Sequence, residues 1–382
     1  MKHNLLILAA LLMAGLMTAC HKDDPVETAK KEQVAILEQY VNHTVAPTYS
    51  NLAAYSEQLV TDLQTLRAER TQANVNRACE TFLNARAWWE KSEAFLFGAA
   101  SDFGIDPHID SWPLDVDAFN TMMANTAQIQ AMDAEDGDEY AGDKLGNSLL
   151  GFHGIEHILF SNGSPKSADE ISDLQMIYAV AVAGDLRNRC FQLEVSWLGK
   201  GAPKSHRDKV EDLELNYTVN GGDHSYGTNL MKAGTLGSTY PSSVSGLMAI
   251  VDGCRTIADE VGTSKIGKPY NGEDPNYIES PYSHKSIEDF YNNILSIENA
   301  YMGGIDGERN EDVSLHGYLK EHNGELDVRV LSAIALAKSK IQAMPAPFVQ
   351  NYSNAANGEA SEACQQLDEI LSEVDNWLRT EN

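Results

Sequence analysis

The chain has 382 residues, 43% of them hydrophobic, and its 56 acidic residues outnumber its 28 lysines and arginines, giving a formal net charge of −28. Nucleic acid and anionic lipid headgroups repel so acidic a protein, and both are therefore poor partners for it. The same charge raises the local concentration of cations, which suits a protein that handles metal ions. The length exceeds what one hydrophobic core usually serves, so we expect two domains.

The first 19 residues predict a signal peptide. A positively charged start precedes an apolar run over residues 5–17, and this run is too short for a membrane-spanning helix. Small residues directly before Cys20 predict a lipoprotein signal, whose cleavage leaves Cys20 as a lipidated N-terminus followed by a tether over residues 20–27. The alternative is an ordinary secretion signal beside an incidental cysteine. We therefore expect a lipid-anchored protein of the cell envelope, at the outer membrane and facing the periplasm or the surface.

Apolar residues recur at intervals of three and four along most of the remaining chain, which is the period of amphipathic helices. This pattern predicts an all-α fold of two four-helix bundles with long irregular connections. The predicted N-terminal bundle covers residues 28–200, an irregular linker rich in Gly and Ser covers 201–243, and the C-terminal bundle covers 244–382. Pro47 should kink or split the first long helix near Ala46.

The second long helix carries Arg86 and Glu93 at positions where its pattern calls for apolar residues. An unpaired charge at either position would be strongly destabilising once buried. One interpretation is that the two side chains pair with each other or with a neighbouring helix. The other is that Glu93 faces His153 and Glu156 across the bundle, as carboxylates do in metal sites within helical bundles.

The stretch GFHGIEH, which begins at Gly151, carries the strongest chemical signal. His153 and Glu156 are three residues apart and project from the same side of a helix. Imidazole nitrogen and carboxylate oxygen are common ligands of transition metals, and this mixture suits iron, zinc or copper. Gly151 and Gly154 allow another backbone or a ligand to approach closely. We therefore predict a metal site formed by His153, Glu156 and Glu93.

The same stretch fits the H-x-x-E-H pattern of one class of zinc peptidases. In that interpretation His153 and His157 bind zinc and Glu156 activates a water molecule as the catalytic residue. The pattern is short, and it needs a third ligand downstream that the sequence does not identify. A further alternative is a surface interaction module in which His153 and Glu156 form a structural hydrogen-bonded pair.

Several blocks resemble the imelysin family when they are taken together and in order. They are the lipoprotein signal, the Gly151-x-His153-x-x-Glu156 motif, Trp88-Trp89 with Glu93, Ile109-Asp110-x-Trp112-Pro113, and Glu279-Ser280 with Ser283, Ser286 and Asp289. The resemblance covers most of the mature chain. It implies two four-helix bundles with a site at their interface, in envelope proteins linked to iron uptake and first described as peptidase-like.

The resemblance also assigns residues to the expected site. His153 and Glu156 match the residues of the family's motif, whereas His157 stands where the family usually has an apolar or aromatic residue. The side chains expected to line the cleft are Asp110, Trp88, Arg86, Ser283 and Glu279. We expect a protein that acquires metal without catalytic turnover and binds iron, with zinc or copper as alternatives, either as the ion or as a metal-bearing chelate.

Overall fold

The computed structural model describes residues 25–380, so Cys20, the predicted signal peptide and most of the predicted tether lie outside the described part. The helices are α1 (Pro25–Tyr40), α2 (Ala46–Ala68), α3 (Gln72–Glu90), α4 (Ala99–Asp102), α5 (Asp106–Ile109), α6 (Val116–Met123), α7 (Thr126–Met132), α8 (Gly137–Lys144), α9 (Gly151–Leu159), α10 (Asp173–Leu198), α11 (Lys204–Asp212), α12 (Tyr226–Met231), α13 (Ser243–Asp259), α14 (Gly267–Asn271), α15 (Ser286–Tyr301), α16 (Leu315–His322), α17 (Gly324–Gln342), α18 (Phe348–Asn351) and α19 (Ala355–Thr380).

Shorter elements connect these helices. The π-helical segments are Val41–Val45 and Glu260–Ile266, and the 3-10 turns are Glu93–Phe95, Asn147–Leu149, Ala168–Glu170, Gly199–Gly201 and Val219–Gly221. Strands β1 (Phe160–Ser161) and β2 (Ser164–Pro165) form a small antiparallel hairpin in which Phe160 lies opposite Pro165. The predicted all-α fold is therefore confirmed.

The interruption predicted near Ala46 takes the form of a change in helix type. Helix α1 continues through the π-helical segment Val41–Val45 directly into α2. Pro47 is the second residue of α2 and has no N–H to donate to the preceding turn of this continuous helix. A π-helical turn is a common way for a helix to absorb such a change.

The helices pack in two sets. In the N-terminal half α2 packs against α3 and α10, and α9 lies against α3 and α10. In the C-terminal half α19 packs against α13 and α17, which also contact α15. Helix α15 meets α3, and α13 meets α1, and the buried apolar side chains of both halves form one continuous core. The limits of the two domains therefore stay a prediction.

The segment 201–243 is not irregular throughout, because α11 and α12 lie within it. Helix α11 buries His206 and Val210, and the His206 ring stacks on Phe191 of α10 with ring centres 3.7 Å apart. So short a helix with two buried positions gives almost no periodic signal, which is why the sequence predicted a linker.

The four cysteines after Cys20 are buried and free, as expected of small core residues. No described helix has the length and apolarity that crossing a bilayer would require.

A buried cluster of carboxylates around His153

Gly151 determines where helix α9 begins. Its φ is +68°, and a Cβ at this position would lie 2.0 Å from the carbonyl oxygen of Ile109. Only glycine permits this conformation and this approach, so the motif helix starts directly against the end of α5. Asp110, the next residue after Ile109, is thereby brought beside His153.

His153 is 2% exposed and lies between two carboxylates. Its Nε2 is 3.0 Å from Oδ1 of Asp110, and its Nδ1 is 3.4 Å from Oε2 of Glu156. Burial lowers the pKa of His153, but the hydrogen bonds to these two carboxylates outweigh burial and raise it to about 9. The imidazole therefore holds two protons at neutral pH, and it must release one before it can bind a metal.

Glu156 is bonded on both of its oxygens. Its Oε1 accepts hydrogen bonds from the backbone amides of Tyr282 (3.1 Å) and Ser283 (2.7 Å) and from the Ser283 hydroxyl (2.7 Å). The backbone of this loop is left-handed at Ser280 (φ 51°) and His284 (φ 61°), an uncommon conformation that bends the loop around the carboxylate. Burial raises the pKa of Glu156, but the hydrogen bonds outweigh burial and lower it. Glu156 thus fastens this loop to α9.

Arg86 occupies the centre of the cluster. Its guanidinium contacts Asp110, lies 2.5 Å from Oε1 of Glu279 and 2.6 Å from Oε1 of Glu90, and places Nε 3.9 Å from Asp289. Asp110 and Glu279 were predicted to line the site with Arg86, and the structure brings all three into contact. The partners of Arg86 thus include a residue of its own helix and residues from two other segments.

Glu93 lies beside Lys265 rather than facing His153. Lys265 Nζ is 3.7 Å from Oε1 of Glu93, 3.7 Å from Oε2 of Glu90 and 3.2 Å from Oε1 of Glu279. The carboxyl oxygens of Glu93, Glu90 and Asp110 form one possible ligand group. The group that contains His153 is completed by Asp110 and Glu279. The sequence predicted Glu93 and Glu156 as the ligands beside His153, whereas the group in the structure contains Asp110 and Glu279.

Trp88 does not take the position expected of it. It is half-buried, and the Lys91 ammonium lies 4.4 Å from its ring centre. The next residue, Trp89, is buried and donates from Nε1 to Oδ2 of Asp110 at 2.6 Å. Adjacent helical residues point about 100° apart, so only one of the two tryptophans reaches the site.

The cluster holds more buried acid than base. Its six carboxylates, each at most 8% exposed, are Glu90, Glu93, Asp110, Glu156, Glu279 and Asp289. The buried cationic groups are those of Arg86, Lys265 and His153. Burial and neighbouring carboxylates raise the pKa of Glu90, of Glu93 and, to about 7, of Asp289, despite the attraction of Arg86 and Lys265. Protons therefore neutralise part of the cluster when no further cation is present.

Two buried carboxylate oxygens in the cluster accept no hydrogen bond, Oε1 of Glu90 and Oε2 of Glu279, and the Glu90 oxygen has the Arg86 guanidinium 2.6 Å away. Oε2 of Glu279 is buried and takes part in no hydrogen bond. Ligand atoms of Glu279, Asp110 and His153 all lie within 4.8 Å of one another. An unsatisfied buried oxygen is costly, and a metal ion bound by one imidazole and two carboxylates would satisfy it. The donor set therefore fits a transition metal.

The zinc-peptidase arrangement is not assembled. The His157 ring packs 5.1 Å from the Phe119 ring and 4.7 Å from the Tyr282 ring, and burial together with Lys166 lowers the pKa of His157 to about 4. Within residues 25–380, the ligand group around His153 does not include His157. Glu156, the proposed base, is already occupied by hydrogen bonds to the loop before α15.

The family model described as Imelysin matches residues 45–374. The chain belongs to the imelysin family. Among its relatives is iron-regulated protein A of Synechococcus elongatus, 28% identical over 345 residues that cover 90% of this chain and 83% of that protein.

Two solved structures are similar to the chain. One described as an iron-regulated protein A precursor from Parabacteroides distasonis has a TM-score of 0.76 at 27% identity, covering 91% of this imelysin-family chain and 95% of its own. An imelysin-like protein from Psychrobacter arcticum has a TM-score of 0.61 at 13% identity, covering 89% and 93%. At this low identity, the second structure shows only that the two proteins share a fold.

Proposed function

We propose that this imelysin-family protein is a lipid-anchored protein of the cell envelope that binds iron, or a related transition metal, during metal acquisition. The observation that carries the proposal is the possible ligand group formed by Glu279, Asp110 and His153, in which Oε2 of Glu279 accepts no hydrogen bond. The names of two relatives refer to regulation by iron, which favours iron over zinc or copper.

The residues of the cluster divide into two roles in this proposal. His153, Asp110 and Glu279 supply the ligand atoms, and the metal replaces protons that the apo cluster holds. Arg86 contacts both Asp110 and Glu279, so it keeps the two carboxylates close together before the metal arrives. The binding groups are thereby arranged in advance, which reduces the cost of ordering them on binding.

The test is calorimetric titration of metal-free protein with Fe²⁺ under anaerobic conditions and, separately, with Zn²⁺. His153→Gln and Glu279→Gln should each weaken binding by about a hundredfold, because each removes a ligand. The matched control is His316→Gln, which removes another buried histidine, whose Nδ1 lies 2.7 Å from Asp327 in a separate cluster. Unchanged affinity in both ligand variants, or no binding by the natural protein, would refute the proposed site.

The anchor has a separate test. Cys20→Ser should release the protein from the membrane fraction, and mass spectrometry of the natural protein should find a lipid-modified N-terminal cysteine. A Cys20→Ser protein that still sediments with membranes would contradict the anchor while leaving the metal site unaffected.

A further inference from the structure

Two adjoining cavities lead toward the cluster. The outer cavity, a cleft of about 810 Å³, runs between α12, α13 and the segment that contains α4 and α5. The inner cavity has about 220 Å³ and is lined by Asp110 and Lys265 of the cluster. Glu93, Asp106 and Glu260 line both cavities, so these three carboxylates, here called the acidic neck, surround the junction between them.

The ionisable side chains on the walls of this route are acidic over most of its length, although burial raises the pKa of Asp106 to about 7 and raises the pKa of Glu93 and of Glu260 above the ordinary glutamate value. Asp102 and Asp252 line the outer cleft in addition to the acidic neck, and no Lys, Arg or His is among the described residues that line it. The inner cavity adds Lys265, whose ammonium is engaged with cluster carboxylates such as Glu279 at 3.2 Å. A cleft with walls of one charge concentrates ions of the opposite sign and repels those of the same sign.

Among residues 25–380, two of the three neck carboxylates, those of Asp106 and Glu260, lack partners, whereas Glu93 forms a long ion pair with Lys265. Glu93 is 6% exposed, and its nearest cation, Lys265, is 3.7 Å away, beyond hydrogen-bonding distance. Across residues 25–380, the side chains of Asp106 and Glu260 accept no hydrogen bond and have no cationic group within 4.0 Å. Glu156, by contrast, is satisfied on both oxygens. Carboxylates that face a cavity without partners leave oxygens free for a cation or its water shell.

The volumes of the two cavities indicate which form of the cation can enter. The inner cavity of about 220 Å³ corresponds to roughly seven water molecules at about 30 Å³ each, enough for a metal ion with its hydration shell. It is smaller than the sites of roughly 300–1,000 Å³ that hold drug-sized molecules. The outer cleft is large enough for an organic chelate, so in that cleft charge rather than size distinguishes a hydrated cation from an anionic chelate.

We propose that the metal reaches the cluster as a hydrated divalent cation through the acidic neck, and that the cleft rejects anionic metal chelates. This inference rests on the proposed function and names the form in which the metal is taken up.

The first test measures the rate of Fe²⁺ association by anaerobic stopped-flow tryptophan fluorescence, since Trp112 lines the inner cavity and Trp89 bonds to Asp110. Asp106→Asn/Glu260→Gln should slow association about tenfold at low ionic strength. Asp117→Asn/Glu135→Gln, which neutralises two exposed carboxylates outside the cleft, should leave the rate unchanged. In the natural protein, added salt should slow association, a result that needs no variant to fold.

The second test replaces Fe²⁺ with ferric citrate. Ferric citrate should bind at least a hundredfold more weakly than Fe²⁺. Equal affinity for the two forms of iron would overturn the inference. So would a neck variant that associates as fast as the control variant, together with a natural protein whose association does not slow when salt is added. If His153→Gln abolishes Fe²⁺ binding while the neck variant behaves like the control, only this inference fails. If neither form of iron binds, the proposed function fails with it.

Discussion

Among single residues, Gly151 meets the strictest requirement, because both its φ of +68° and the nearby Ile109 oxygen exclude a side chain. Gly151→Ala should lower the free energy of unfolding by roughly 2–4 kcal/mol. It should also weaken metal binding by separating Asp110 from His153. The control is Gly146→Ala, where φ is −76° and an added Cβ meets nothing within 4 Å. Denaturant unfolding checks this, and equal midpoints for the two variants would contradict it.

His153 should make the stability of the metal-free protein depend on pH. The pKa of His153 is raised to about 9 in the folded state from an ordinary value of 6.5. Between those values the folded protein binds a proton that the unfolded chain does not, so stability falls as pH rises through this window. The loss should reach up to about 3 kcal/mol. Chemical unfolding at a series of pH values measures it, and His153→Gln should have a flatter profile; identical slopes would disprove the assignment.

At the scale of elements, the contact between α9 and α10 depends on a second glycine of the motif. A Cβ on Gly154 would lie 2.0 Å from the hydroxyl of Tyr178, which donates to the Leu149 carbonyl at 2.7 Å. Gly154→Ala should therefore destabilise the protein by about 2–3 kcal/mol. Tyr178→Phe removes the obstructing oxygen, so the double variant should regain part of that loss. Strictly additive effects in this double-mutant cycle would show that the two residues are not coupled.

Elements with a long apolar period were predictable from the sequence, and partnerships between elements were not. The helix of the motif and the buried charge at Arg86 both follow from periodicity. The contact between Arg86 and Glu279 joins residues 193 positions apart, which no local pattern encodes. Lys265 was missed because it lies in a π-helical segment, where the three-and-four spacing that reveals a buried position is broken.

Resemblance and local pattern each contributed part of the candidate site. The pattern singled out His153 with Glu156, and the flanking blocks added Asp110 and Glu279. Neither indicated that Glu156 would be used to bind backbone amides, leaving Glu279 with the free oxygen. The side chains were thus largely foreseen, whereas their division into ligands and supports needed the tertiary structure.

For the whole molecule, a metal in the cluster would link the two halves. His153 and Asp110 belong to the N-terminal half, and Glu279 precedes α15 in the C-terminal half. Saturating Fe²⁺ at a hundred times its dissociation constant should stabilise the folded protein by about 2.7 kcal/mol. Calorimetric melting with Fe²⁺ and with chelator measures the shift, which Glu279→Gln should largely abolish. An unchanged melting temperature in the natural protein would count against binding at this position.

The hydrogen bonds from the loop before α15 to Glu156 have a consequence for hydrogen exchange at this contact. The amide hydrogens of Tyr282 and Ser283 point across the junction into that one carboxylate. They exchange with deuterium only when these hydrogen bonds open. Their exchange rate therefore measures, at two backbone positions and without any added ligand, how often this contact between α9 and the loop opens.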